Sequence, residues 1–142
     1  MAKRAGSVRK GIKKASKRPL ASIKRKAWQA FSLWVRQRDS VNGMNFCISC
    51  EVQKPIKELQ AGHLIDGRGN SILFDESGVY PQCLACNVFK HGNKIMYMQA
   101  LERKFGTSTA ICLRDELQRI SKLAKKFTYE DYEKIYLKYK TN

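Results

Sequence analysis

Leu20, Ile23, Ala27, Phe31, Trp34 and Val35 recur at three- and four-residue spacing, which is the period of one helical face. With Pro19 tolerated in a first turn, they predict a helix to about Arg38. The other sides of that helix carry Lys24, Arg25, Gln29 and Arg36, and Trp28 and Trp34 read as core aromatics rather than base-stacking groups. Over residues 40–83 the pattern shortens to strand-like runs broken by turn signals at Asn42-Gly43, Asp66-Gly67, Gly69-Asn70 and Ser77-Gly78. Helical spacing returns near Leu84. Ile95, Met98, Leu101 and Phe105 predict a helix over 93–105, closed by Gly106. Leu113, Leu117, Ile120, Ala124 and Phe127 predict another over 109–127. Thr128, with Asp131 three residues on, reads as a capping box for a last helix burying Tyr132, Ile135, Tyr136 and Tyr139. The fold class expected from these patterns is α+β and mostly α, without internal repeats.

Charge changes this picture at one end. Residues 1–38 hold 13 of the 28 Lys and Arg and none of the 12 Asp and Glu, so most of the net charge of +16 lies there. The rest of the chain is nearly balanced. Residues 1–18 offer little to bury and predict a disordered basic arm, followed by a body over 19–106 and a C-terminal helical hairpin over 107–142. A block that repels itself and carries no acid suits a polyanion, through release of condensed counterions. Charge alone leaves DNA, RNA and an anionic membrane surface open. No run approaches the ~18 apolar residues of a membrane span, and no apolar core follows the basic start, so a cytoplasmic protein is expected. In that compartment the five cysteines are expected to stay reduced. A body this small also benefits from a staple beyond its core.

The cysteines supply one. Cys47-x-x-Cys50 and Cys83-x-x-Cys86 are two knuckles separated by 32 residues, the pattern of a closed four-thiolate structural zinc site. Cys112 falls on a helical stripe and reads as a small buried side chain. Between the knuckles, Leu59 to Ile65 is a short strand pattern bearing His63, and Asn87 directly follows Cys86. Asn87 and His91, four apart, are expected on one helical face. A strand histidine opposed to such a helix has the parts for phosphodiester hydrolysis. A metal would stabilise charge on the phosphate while His63 takes a proton from water.

Several motifs together resemble a known family. They are Cys47-Ile48-Ser49-Cys50, Ala61-Gly62-His63, Leu73-Phe74-Asp75-Glu76, Pro81-Gln82-Cys83 with Cys86-Asn87, and Gly92-Asn93 with Tyr97. This set, over roughly residues 28–106 and with Phe31, Arg36 and Arg38-Asp39 ahead of it, resembles the phage NinG/Rap recombination endonucleases. Those resemble in turn the H-N-H, or His-Me finger, nucleases of the endonuclease VII type. The resemblance implies a zinc-stapled ββα-metal core flanked by a basic helix and C-terminal helices. It also implies endonuclease activity on branched DNA such as Holliday junctions and D-loops, in a phage-infected or prophage-bearing bacterial host. His63 would be the general base, and Asn87 a catalytic residue ligating magnesium or manganese.

Two departures matter. Gly62 stands where many H-N-H enzymes place a metal-binding Asp or His, so a second ligand is sought in His91 first, then Asp66, Asp75 or Glu76. Gly78 stands where the middle asparagine would orient the base, so the group that orients His63 is left open, with a backbone carbonyl as one candidate. Arg25, Lys26, Arg36, Arg38, Arg68 and Lys90 are the expected DNA contacts, with Lys90 or Arg68 on the scissile phosphate. Paired nicking of a four-way junction would suit a homodimer joined through the C-terminal helices. A nicking H-N-H enzyme on linear duplex, and a non-catalytic zinc protein binding DNA or RNA, are the competing readings.

Overall fold

The computed structural model describes residues 19–66 and 69–141. The basic arm over 1–18 and Arg68 therefore lie outside the described residues. Helix α1 (Leu20–Gln37) buries Ile23, Ala27, Phe31 and Val35, the three- and four-residue stripe expected for it, while Leu20 at its first turn is 47% exposed.

Strands β1 (Met44–Phe46) and β2 (Gln53–Pro55) form an antiparallel hairpin whose tip is the first cysteine knuckle. Strands β3 (Leu59–His63) and β4 (Val79–Cys83) form a second antiparallel pair, Leu59 opposite Cys83 and His63 opposite Val79. The chain between them makes a short helix α2 (Asn70–Leu73). Strand β4 runs directly into a π-helical turn at Ala85–Phe89. Three helices close the chain: α3 (Lys94–Phe105), α4 (Thr107–Ser121) and α5 (Tyr129–Tyr139). Among the described residues no helix is long and apolar enough to cross a membrane.

Two of the apolar clusters among the described residues hold most of these elements. Phe31 and Val35 of α1 meet Ala61 of β3, Val79 of β4 and Tyr139 of α5. Leu64, Ile72, Tyr80, Tyr97, Leu101, Ala110 and Leu117 join the β3/β4 pair to α3 and α4. The two C-terminal helices thus take different partners, α5 against α1 and α4 against α3 and α2. Within residues 107–141 each helix finds its main apolar complement on other elements.

Helical boundaries differ from expectation where tertiary contacts compete. Helix α4 stops at Ser121 instead of reaching Phe127, since Phe127 leaves the stripe to pack on Phe74 and Tyr132. Leu123 and Ala124 are exposed as a result. In α3 the buried side is Tyr97, Ala100 and Leu101, while Ile95 is 75% exposed and Phe105 42%. Tyr97 turns inward because its hydroxyl donates to the Gly62 carbonyl at 2.9 Å. Burial holds that hydroxyl well above the usual phenol pKa range, so it stays a donor. Cys112, expected to be buried, is exposed. The Thr128–Asp131 capping box of α5 is present in both directions.

Arg38, expected on DNA, is turned into the protein. It donates to the Glu76 and Val79 carbonyls at 2.9 Å each and lies 4.5 Å over the Tyr80 ring. A guanidinium forks naturally onto two fixed acceptors, and here it ties the end of α1 to the start of β4. Arg38→Ala should lower stability by about 2–4 kcal/mol, since hydrogen bonds to a charged group contribute ~1.5–3 kcal/mol each and do not add fully. DNA affinity at fixed salt should be unchanged. A DNA defect without a fall in Tm would contradict this placement.

Candidate metal centre and polar cleft

The two knuckles meet. Cys47 follows β1, where its N–H donates to the Val52 carbonyl and its carbonyl accepts from Glu51, closing a tight turn around Cys50. Cys83 ends β4, and Cys86 sits in the π-helical turn. The Ile48 N–H donates to the Pro81 carbonyl at 2.8 Å and docks the first knuckle on β4. The four sulfur atoms lie within 4.8 Å of one another, and Cys50 and Cys83 Sγ are 3.7 Å apart. Metal–sulfur bonds of about 2.3 Å make a tetrahedron with edges of about 3.8 Å, so these dimensions fit one ion. Asn93 Nδ2 donates to Cys86 Sγ at 3.3 Å. Burial pushes the Cys47 thiol up to about 12, and a cation among the sulfurs is what would reverse that preference for the neutral form.

Beside this centre is a polar cleft of about 780 Å³. Its walls come from three directions. Helix α1 contributes Trp28, Ser32 and Arg36, β3 contributes Gln60 and His63, and the chain after Cys86 contributes Asn87, His91, Gly92 and Lys94. His63 and Asn87, paired from the sequence, do share one cavity. His63 is 8% exposed. Its ring stacks on Trp28 at 5.6 Å between centroids and 17° between planes, and Nε2 lies 3.0 Å from the Leu73 carbonyl oxygen. A carbonyl only accepts, so Nε2 carries the hydrogen and, in the neutral ring, Nδ1 carries the lone pair. The ring of His63 is thus held by the backbone carbonyl of Leu73.

Asn87 Nδ2 donates to Gln60 Oε1 at 2.7 Å, which aims the amide and commits its nitrogen, leaving Oδ1 as the atom suited to a cation. The expected helical face shared with His91 is absent. The π-helical turn ends at Phe89, and His91 lies in a left-handed turn at φ 48°. His91 reaches the cleft from that turn, exposed. Of the other candidate ligands, Asp66 lines the cleft, whereas Asp75 and Glu76 are used elsewhere. Asp75 Oδ1 accepts from Ser77 N and Oγ, and Glu76 Oε1 accepts from Tyr139 and Lys138.

Among the expected DNA contacts, Arg36 lines the cleft while donating to the Ser32 and Ile56 carbonyls. Arg25, Lys26 and Lys90 are exposed outside it.

Gly62 is required by packing. A Cβ there would fall 1.9 Å from Gln82 Oε1, and Gln82 is fully buried, donating to Ser49 Oγ at 2.8 Å and the Gly92 carbonyl at 2.7 Å. Gln82 therefore links the first knuckle to the turn after the second and occupies the space a residue-62 side chain would need. Gly62→Asp should cost at least about 1–3 kcal/mol from overpacking alone, with more from the displaced hydrogen bonds. A variant that melts at the wild-type temperature would contradict this.

The residues missed in the sequence are Lys94, Gln60, Trp28 and Ser32. Trp28, Ser32 and Arg36 recur every four residues, a second stripe on α1 hidden beside the apolar one. Lys94 donates to the His63 carbonyl and pairs with Asp66 at 3.2 Å. It carried no motif signal, because only the left-handed turns at His91–Asn93 bring the start of α3 to the cleft.

Comparison with known proteins places the chain. The family model described as "Bacteriophage Lambda NinG protein" matches residues 2–142. "Protein ninG" of Escherichia phage 933W is 30% identical over 96 residues, which is 67% of this chain and 46% of that protein. "Protein ninG" of Salmonella phage P22 is 30% identical over 96 residues, 67% of this chain and 45% of that protein. The chain spans about half the length of these curated relatives. No solved structure matches it. With the family model covering all but the first residue, the chain belongs to the NinG family.

Proposed function

We propose that the cleft is the active site of a metal-dependent endonuclease of the H-N-H type, hydrolysing phosphodiester bonds in branched DNA during phage recombination. The observation that carries this reading is the way the His63 ring is held. Its Nε2–H is held by the Leu73 carbonyl, so the basic Nδ1 belongs to a ring fixed by stacking on Trp28, in the same cavity as the Asn87 amide. A general base needs its lone pair held in a defined direction beside the reacting groups.

In this reading β3, β4 and the turn after them are the ββα-metal finger, and the four cysteines hold a structural zinc. Four thiolates leave such an ion no open position, so chemistry falls to the neighbouring cleft. His63 Nδ1 takes a proton from the attacking water. Asn87 Oδ1, supplemented by waters, would hold a hard divalent ion, magnesium or manganese. That ion supplies charge stabilisation at the phosphate and the leaving oxygen. Arg36 places positive charge on the opposite wall, where a strand backbone would run. The exposed Arg25 and Lys26 would extend that contact along α1. The chain would work in the cytoplasm of the phage's bacterial host, and a dimer would let two cuts flank one junction.

The test is direct. Purified protein is offered labelled four-way junction, fork and linear duplex with magnesium, manganese or EDTA. Cutting of branched DNA that needs the ion supports the reading. Cutting of linear duplex alone would replace it by a nicking nuclease, and binding of DNA or RNA without cutting by a non-catalytic zinc protein.

A further inference from the structure

Resting on the metal-dependent reading, we propose that Asp66 is the acidic ligand of the cleft's divalent ion, and that Lys94 holds this carboxylate until a backbone phosphate takes the ammonium away. Three observations lead there. A carboxylate at position 62 is barred by Gln82. Asp75 and Glu76 are spent on a turn cap and on α5. Asp66 is then the one acid among the described residues lining the cleft. An amide oxygen alone holds a hard dication weakly, and affinity rises with the number of charged oxygens.

The geometry also places the Lys94 ammonium between two acceptors. Its side chain folds back over Gly92, where a Cβ would lie 2.6 Å from Cε and 2.7 Å from Nζ. From there the ammonium donates to the His63 carbonyl and sits 3.2 Å from Asp66 Oδ1. One cation thus draws the carboxylate to the strand that bears the base. The Asp66 side chain is 77% exposed and that of Lys94 28%, so the pair is well screened, and exchange of partners is easy. A phosphate entering the cleft offers the ammonium a charge-assisted acceptor. The carboxylate is then released to the ion, and DNA and metal must each strengthen the binding of the other.

The experiment titrates Mn²⁺ into the zinc-loaded chain, reading the EPR signal of the free aqua ion. Without DNA, Asp66→Asn should weaken Mn²⁺ binding by about tenfold or more, Asp66→Glu should retain part of it, and Lys94→Met should tighten it several-fold. In His63→Ala protein, which keeps DNA intact, adding a fork should tighten Mn²⁺, and the gain should vanish when Lys94→Met is added. Equal Mn²⁺ binding by wild type and Asp66→Asn would overturn the ligand assignment. Unchanged binding in Lys94→Met would overturn the exchange. If no DNA is cut but Asp66→Asn still loses Mn²⁺, the ion site stands and the nuclease reading fails. If His63-dependent cutting survives Asp66→Asn together with full Mn²⁺ binding, the nuclease stands and this inference fails.

Discussion

Replacing His63 with alanine should lower cleavage of branched DNA by on the order of 10²–10⁴-fold, the range that one positioned general base contributes. The effect should appear in the rate of the bound complex, with DNA affinity nearly unchanged, because the basic residues of α1 are untouched. The substitution also removes a buried ring that donates to Leu73 and stacks on Trp28. A stability loss of ~1–3 kcal/mol is therefore expected alongside. His63→Gln separates the two effects, because it refills part of the space and can still donate to the carbonyl, yet it offers no base. It should regain much of the Tm and none of the rate. Equal cutting by wild type and both variants would remove His63 from the mechanism.

Removing metal from the four-cysteine centre should unfold the body of the protein. Structural zinc contributes on the order of 10 kcal/mol at such sites, comparable to the ~5–15 kcal/mol that holds an ordinary domain. The local packing explains why little else would compensate. The cluster around the centre consists of Cys47, Leu59, Cys83 and Cys86, so the sulfurs are themselves its apolar lining. They tie β1, the end of β4 and the π-helical turn, none longer than five residues. Cys83→Ser, or exhaustive chelation, should abolish the cooperative melt followed by circular dichroism and release one zinc per chain. The cleft should go with it, since Asn87 follows Cys86 directly. A stripped chain that keeps its Tm would show that the cysteines pack without an ion.

The legible part of this protein was local. The buried stripe of α1, the Thr128 cap and the two C-x-x-C turns depend on spacing within a few residues, and each stands where its pattern put it. The pairing of His63 with Asn87 was also legible, because two cysteine turns meeting at one centre bring their neighbours along. Failures came where a local pattern met a stronger distant partner. Phe127 left its helical stripe for Phe74 and Tyr132, Tyr97 displaced Ile95 from the buried side of α3 for the Gly62 carbonyl, and Arg38 turned to two carbonyls of the protein.

The sequence by itself determined the family, the pairing of the four cysteines and the two polar residues beside them, since periodicity, turn chemistry and motif spacing are properties of short stretches. Only the tertiary structure decided the surroundings of those residues. It set which carbonyl fixes the His63 tautomer, why position 62 has no side chain, which acid faces the cleft and that Lys94 stands beside it. The reason is physical: a polar group takes the partner nearest to it in space. For His63 and Asp66 those partners are 10 and 28 residues away along the chain, beyond the reach of any local pattern.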